Sequence, residues 1–343
     1  MSLAYTSATT HAFAFTQLKA FYSRWTSPVL TCHARRIPAR CSTSLSEIAP
    51  MSGKGQYNRY SPSQSGAHEK TYFYLEKSLQ RISKLFSKDG KIVVGDLGCS
   101  EGKNSLPTVC KIVQHFRLNA PESQAGRKPY IRQAGGRRKG PHISRRPVFL
   151  QAAAAPRSQA HADLTSFLRL RDAELVPGGE LCVVMVSSGE SVFCRPPPGG
   201  RAPVLSMALE QVAAEGLLTE EDLGSISVPY YLRTEEEVLQ AAGAAAPGSL
   251  AVSDVETFFV DFLDGSGAMQ TREQLSSVTG MFWAIHEPTI RSQLGGASAR
   301  EGAPAVDAVV ARLKDVFDEA FWTAFRGRRV GATMTMLWMR KSP

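Results

Sequence analysis

Apolar residues recur at three- and four-residue intervals over 68–87, where Tyr72, Leu75, Leu79, Ile82 and Leu85 fall on one stripe. That period predicts an amphipathic helix. Upstream, the Gly-, Tyr-, Asn- and Ser-rich stretch from Gly53 to Gly66 predicts loop. Downstream, Lys88-Asp89-Gly90 reads as a turn, and Ile92-Val93-Val94 opens a short buried strand that runs into Gly95-Asp96-Leu97-Gly98. The helical period returns from Asn104 to Phe116, with Leu106, Val109, Ile112 and Val113 in phase.

The pattern then lapses. From Pro121 to Arg146 the chain is rich in Arg, Gly and Pro, and no strand is readable there. Order resumes with a helix over 158–175 and a Pro177-Gly178-Gly179 turn. The uninterrupted apolar run Leu181 to Val186 follows, the signature of a strand buried on both faces. Further helices are expected at 204–217, 234–241, 272–294 and 304–325, with strands within 250–262 and at 330–339. Thr219-Glu220-Glu221-Asp222 reads as a capping sequence, and three glutamates follow Thr234 where a helix dipole favours them. The Ala- and Gly-rich stretch 241–249 reads as a loop, and the methionines of 334–339 as strand rather than ligands. Alternating helices and strands of this kind indicate an α/β fold with a largely parallel sheet.

Charge changes the picture only locally. The net charge is +9 over 343 residues, yet residues 103–161 alone hold twelve Lys or Arg against Glu122. The first fifty residues hold five basic residues against Glu47, so the remaining chain is acidic. The basic run 127–146 contains one aromatic, Tyr130, which gives a base-stacking surface little support, and RNA binding there is the weaker alternative. Nucleic acid and membrane are therefore not expected as partners; no apolar run reaches the length of a spanning helix. The six cysteines show no C-x-x-C spacing and the seven histidines no metal or triad spacing, so no metal site is expected. Residues 1–46 lack Asp and Glu and are rich in Ser, Thr, Ala and Arg. That is the composition of an organelle transit peptide, implying plastid or mitochondrion. The other reading of residues 1–50 is a gene-model extension upstream of Met51, which implies the cytoplasm.

Asp96-Leu97-Gly98-Cys99-Ser100-Glu101-Gly102 carries the candidate chemistry. Gly98 permits a sharp turn at the carboxyl end of a strand, and Gly102 lets backbone pass close to a ligand. The following helix then presents unpaired N–H groups. Asp96 suits the ammonium group of an amino-acid ligand. The spacing D-x-G-x-x-x-G differs from the dinucleotide form G-x-G-x-x-G.

The wider stretch Asp96–Asn104, DLGCSEGKN, resembles the first motif of the plant family that methylates salicylate, benzoate, jasmonate and related acids, or purine alkaloids (the SABATH family). Residues Gly55–Gln64 resemble that family's N-terminal segment. So do Ser166–Arg171 with Glu174–Gly179, Glu215–Leu217, Val228–Tyr231 and Glu287-Pro288 in theirs. The resemblance covers 51–118 and about 139–341. It implies a class I methyltransferase fold, Rossmann-like and doubly wound, over 51–343, with a helical substrate cap drawn mainly from 200–325. It implies S-adenosylmethionine as cofactor, with Tyr57, Cys99 and Asn104 in contact with it and Asp96, Gly98 and Gly102 shaping its turn. Gln64 would bind a substrate carboxylate, and the implied reaction is methyl transfer to a small organic acid, with relatives often homodimeric. A carboxylate is already ionised at neutral pH, so no catalytic residue acting as base is called for.

Three departures accompany the resemblance. The internal strands expected between about 119 and 138 are missing, with the acid that binds the cofactor ribose; only Glu122 stands in that region. The family's magnesium pattern D-x-F-N falls on Gly224-Ser225-Ile226-Ser227, which offers no carboxylate. A pocket tryptophan falls on Ala202. A catalytically inactive remnant is therefore the alternative function, whether the shortened block is a deletion or a gene-model fault.

Overall fold

The computed structural model describes residues 2–8, 62–85, 93–97, 106–118, 130–134, 154–226, 228, 231–263, 267–297 and 305–343. Along the chain run β1 (Ser2–Ala8), α1 (Pro62–Leu85), β2 (Val93–Leu97), α2 (Leu106–Leu118), β3 (Tyr130–Ala134) and α3 (Ala154–Glu174). They are followed by β4 (Glu180–Ser191), α4 (Val204–Ala214), α5 (Glu220–Ser225), α6 (Glu235–Ala245) and β5 (Leu250–Asp261). The chain closes with α7 (Arg272–Ala297), α8 (Val306–Phe325) and β6 (Gly331–Lys341).

One sheet orders these strands β3-β2-β1-β4-β6-β5. The first four are parallel, and β6 runs antiparallel between β4 and β5. Along β4, successive side chains alternate between two cores, as the twofold period of a strand requires. Leu181, Val183 and Met185 join Leu337 and Met339 of β6 under α3 and α6. Cys182, Val184 and Val186 join Met334, Met336 and Trp338 under α1 and the remaining helices. Both faces are covered, which is why Leu181–Val186 contains no polar residue.

Several expectations need correction here. A strand does lie within 119–138, since β3 pairs in parallel with β2 over Tyr130–Ala134. Single-chain patterning missed it because Arg132 and Gln133 interrupt the apolar run. Residues 2–8 form β1, between β2 and β4. Helix α1 also begins at Pro62, inside the expected loop; proline suits the first turn because its missing N–H has no intrahelical partner there. Finally, Ala241–Ala245 is helical, with Ala241, Ala242 and Ala245 buried. Alanine has the highest helix propensity, and its small side chain lets α6 pack closely on α3.

Helix α1 spans the whole depth of the sheet. A Cβ on Gly66 would sit 3.4 Å from Cγ1 of Val260, at the carboxyl end of β5. One helix length later, Arg81 donates Nε and Nη2 to the two carboxylate oxygens of Glu180, at 2.9 and 2.8 Å. Glu180 opens β4 at the opposite edge and also accepts Nε1 of Trp338 at 2.8 Å. Burial raises the Glu180 pKa, but these hydrogen bonds outweigh it and hold the carboxyl below the usual range.

The capping sequences act as read. Thr219 closes a capping box with Asp222, and Thr234 one with Glu237. Helices α4, α5, α7 and α8 share a core with the sheet. Phe193, just past β4, lies 5.1 Å from Phe282 and 5.7 Å from Phe321, centroid to centroid. Burying each such ring contributes roughly 2–3 kcal/mol.

Candidate functional site

The carboxyl edge of the parallel strands is where a doubly wound sheet binds its ligands. There Asp96 occupies the fourth position of β2, level with Tyr5 of β1 and Gln133 of β3. Leu97, the last residue of β2, is level with Thr6, which in turn is level with Val183 of β4. Gln64 lies in the first turn of α1, the end of that helix that reaches the same edge. Tyr57, Gly98, Cys99, Gly102 and Asn104 lie outside the described residues.

The structure joins the two segments that carry the predicted residues through groups not singled out in the sequence. His68, one turn beyond Gln64, is 2% exposed and contacts Thr108 in the first turn of α2, Nδ1 to Oγ1 3.1 Å. Helix α2 is the helix that follows β2 and the Asp96–Gly102 motif in the chain. Burial pushes the His68 pKa down to about 4, so the imidazole is neutral at physiological pH. Farther along, Lys111 stands 4.5 Å from the Tyr72 ring and Ser83 lies 2.9 Å from Nε2 of His115. These contacts ascend both helices together, so α1 and α2 run parallel on one face of the sheet. The sequence signal for His68 was its four-residue spacing from Gln64, which puts it on the same helix face.

On the other side of the edge, the segment before α6 crosses the end of β4. The Ser188 N–H donates to the Arg233 carbonyl at 2.7 Å, beside a parallel bridge between Ser187 and Arg233. Tyr231 donates its hydroxyl to Glu237 at 2.7 Å, and burial together with that carboxylate pushes its pKa up to about 12. The buried Arg233 guanidinium donates to the Ala160 carbonyl at 2.7 Å. A groove of about 170 Å³ between α7 and α8, lined by Thr279, Trp283, Glu287, Lys314 and Asp318, holds none of the predicted residues.

The groups at the described part of the edge suit an amino-acid ligand. Asp96 is the penultimate residue of β2, and the first turn of α2 contains no acidic residue to compete for its N–H groups. The neighbouring strand β3 ends in Arg132-Gln133-Ala134, which contains no acid. Among the described residues no group of three His, Cys, Asp or Glu is placed to hold a metal.

Residues 143–326 match the family described as SAM dependent carboxyl methyltransferase. The chain belongs to that family. Its cofactor is S-adenosylmethionine, and the fold is the class I methyltransferase fold. The chain is similar to a loganic acid methyltransferase solved with S-adenosylhomocysteine, with a TM-score of 0.63 at 16% identity over 86% of this chain and 99% of that one. Among curated proteins it is similar to a 3,7-dimethylxanthine N-methyltransferase of Camellia sinensis var. assamica, 30% identical over 145 residues, covering 40% of this chain and 37% of the relative. A monomethylxanthine methyltransferase of Coffea arabica is 28% identical over 142 residues, covering 39% and 36%. The match thus spans little more than a third of the length of these curated relatives.

Proposed function

We propose that this chain transfers the methyl group of S-adenosylmethionine to the carboxylate of a small organic acid, at the carboxyl edge of β2, β1 and β4. The observation that carries the reading is the His68–Thr108 contact. It fixes the Gln64 turn of α1 against the helix that follows β2 and the Asp96–Gly102 motif in the chain. Asp96 serves the ammonium group of the cofactor's methionine moiety, and the amide of Gln64 donates to the acceptor carboxylate. The cofactor supplies an electrophilic methyl on sulfur. The chain's own residues hold the acid in line and keep water out, a contribution of alignment rather than proton transfer. No base is needed for an acceptor that is already an anion at neutral pH. A nitrogen acceptor, as the names of the xanthine relatives indicate for those proteins, is disfavoured because Gln64 offers donors matched to a carboxylate.

Titration of S-adenosylhomocysteine into the full-length protein, followed by a panel of small carboxylic acids with methyl-labelled cofactor, tests this. Binding with label transfer to an acid supports it. Binding with label transfer only to a xanthine overturns the acceptor class. Absence of binding by well-folded protein favours the alternative, a non-catalytic relative. The observation on that side is the acid-free end of β3, Arg132-Gln133-Ala134.

A further inference from the structure

A single strand joins β2 to the larger part of the sheet. β2 pairs with β3 on one side and β1 on the other, and β4 pairs with β6 and β1. Neighbouring strands lie about 4.8 Å apart, so β2 and β4 without β1 would stand roughly 10 Å apart, too far for any ladder. Remove β1 and the sheet divides into the pair β3-β2 and the trio β4-β6-β5. Two five-residue strands are marginal alone, and both pieces would expose unpaired parallel edges. Chain order agrees with this role. From β1 to β4, strands and helices alternate, and each parallel neighbour is reached through a helix, as parallel pairing requires. The register places Tyr5 beside Asp96 and Thr6 beside Leu97.

We propose that Ser2–Ala8 is the strand that fixes β2, and with it Asp96, beside β4, and that the chain binds S-adenosylmethionine only while the segment stays in the sheet. The second half rests on the function proposed above. A maturation cut beyond residue 8 would remove a central strand, so the transit-peptide composition of residues 1–46 and the paired position of residues 2–8 make opposite demands on the mature protein.

Hydrogen exchange of the full-length chain, resolved by peptide, reads the strand without reference to any ligand. Amides of residues 3–8 are expected to exchange at least about a hundredfold more slowly than an unstructured peptide, in the manner of strand 181–186. Exchange at the unstructured rate overturns the proposal. Full-length Ala4→Pro and Tyr5→Pro variants each remove one amide donor, and because successive N–H groups point to opposite neighbours, one variant weakens each ladder. Both are expected to lower S-adenosylhomocysteine affinity tenfold or more; unchanged affinity in both overturns the coupling to the cofactor. If residues 3–8 are protected but the unmodified chain binds no S-adenosylhomocysteine, the strand assignment stands and the cofactor half fails together with the function.

Discussion

Replacing His68 by Gln removes a buried titrating group while keeping a side chain able to reach Thr108. His68 is 2% exposed and its pKa is pushed from 6.5 down to about 4 by burial. The folded state therefore resists protonation where the unfolded chain accepts it. Such a depressed pKa contributes stability that is present above 6.5 and lost as pH falls toward 4. Between pH 7.5 and 4.5 the loss from this one residue is about 2.5 kcal/mol. At pH 7.5 the variant is expected to be less stable by roughly 1 kcal/mol, from the altered hydrogen bond and packing. At pH 4.5 the order reverses, with the variant ahead by about 1.5 kcal/mol. Urea unfolding of both proteins at the two pH values measures the difference, and other titrating groups cancel in it because both proteins share them. Parallel stability curves, with the same gap at pH 7.5 and 4.5, would refute the claim that His68 is held neutral by burial.

Glu180→Ala leaves the Arg81 guanidinium and the Trp338 indole without their acceptor, and is expected to cost about 3–5 kcal/mol in chemical denaturation. Because the folded Glu180 pKa is lowered, that contribution is present above the unfolded carboxyl pKa and fades as pH falls below it, so the gap between wild type and variant narrows in acid. Gly331→Ala would place a Cβ 2.2 Å from the Val260 carbonyl oxygen and 2.5 Å from the Phe259 ring; backbone cannot yield cheaply, and a loss above about 2 kcal/mol is expected. Phe193→Ala opens the core that the sheet shares with α7 and α8 and is expected to cost about 3–5 kcal/mol in thermal or urea melts. Gln64→Ala is expected to raise KM for the acid acceptor tenfold or more with S-adenosylhomocysteine affinity unchanged; equal losses in both would move Gln64 to the cofactor.

Much of the helical architecture could be read from the chain. The stripe through Leu75, Leu79 and Ile82 marks the buried face of α1, and all three residues are buried. The apolar run Leu181–Val186 marks the doubly covered strand. Thr219 and Thr234 mark two helix starts, because a capping box is a local contract between residues three apart. The site was legible only in part. Asp96 and Gln64 announce themselves through motif and spacing, and the structure brings α1, which carries Gln64, against α2, the helix after β2. His68 and Thr108 carry no motif, since a buried histidine reads in sequence like any other helical polar residue. Glu180 looked like an ordinary opening residue of a strand, and its role comes from Arg81, ninety-nine positions earlier.

What the sequence alone determined was everything set by near neighbours and by a shared family pattern: helix phase, caps, the glycine-bearing turn after β2, and the methyltransferase kinship of 143–326. What the tertiary structure decided was which short, weakly patterned segments become strands. Ser2–Ala8 and Tyr130–Ala134 are too polar and too short to declare themselves, and they are strands because β2 and β4 offer ladders that only another backbone can satisfy. Strand pairing joins residues about ninety positions apart, as Ser2 with Val93, and such pairing depends on backbone groups that every residue shares. Side-chain patterning cannot encode it, and the sheet assembles those positions only when the rest of the fold has brought the edges within reach.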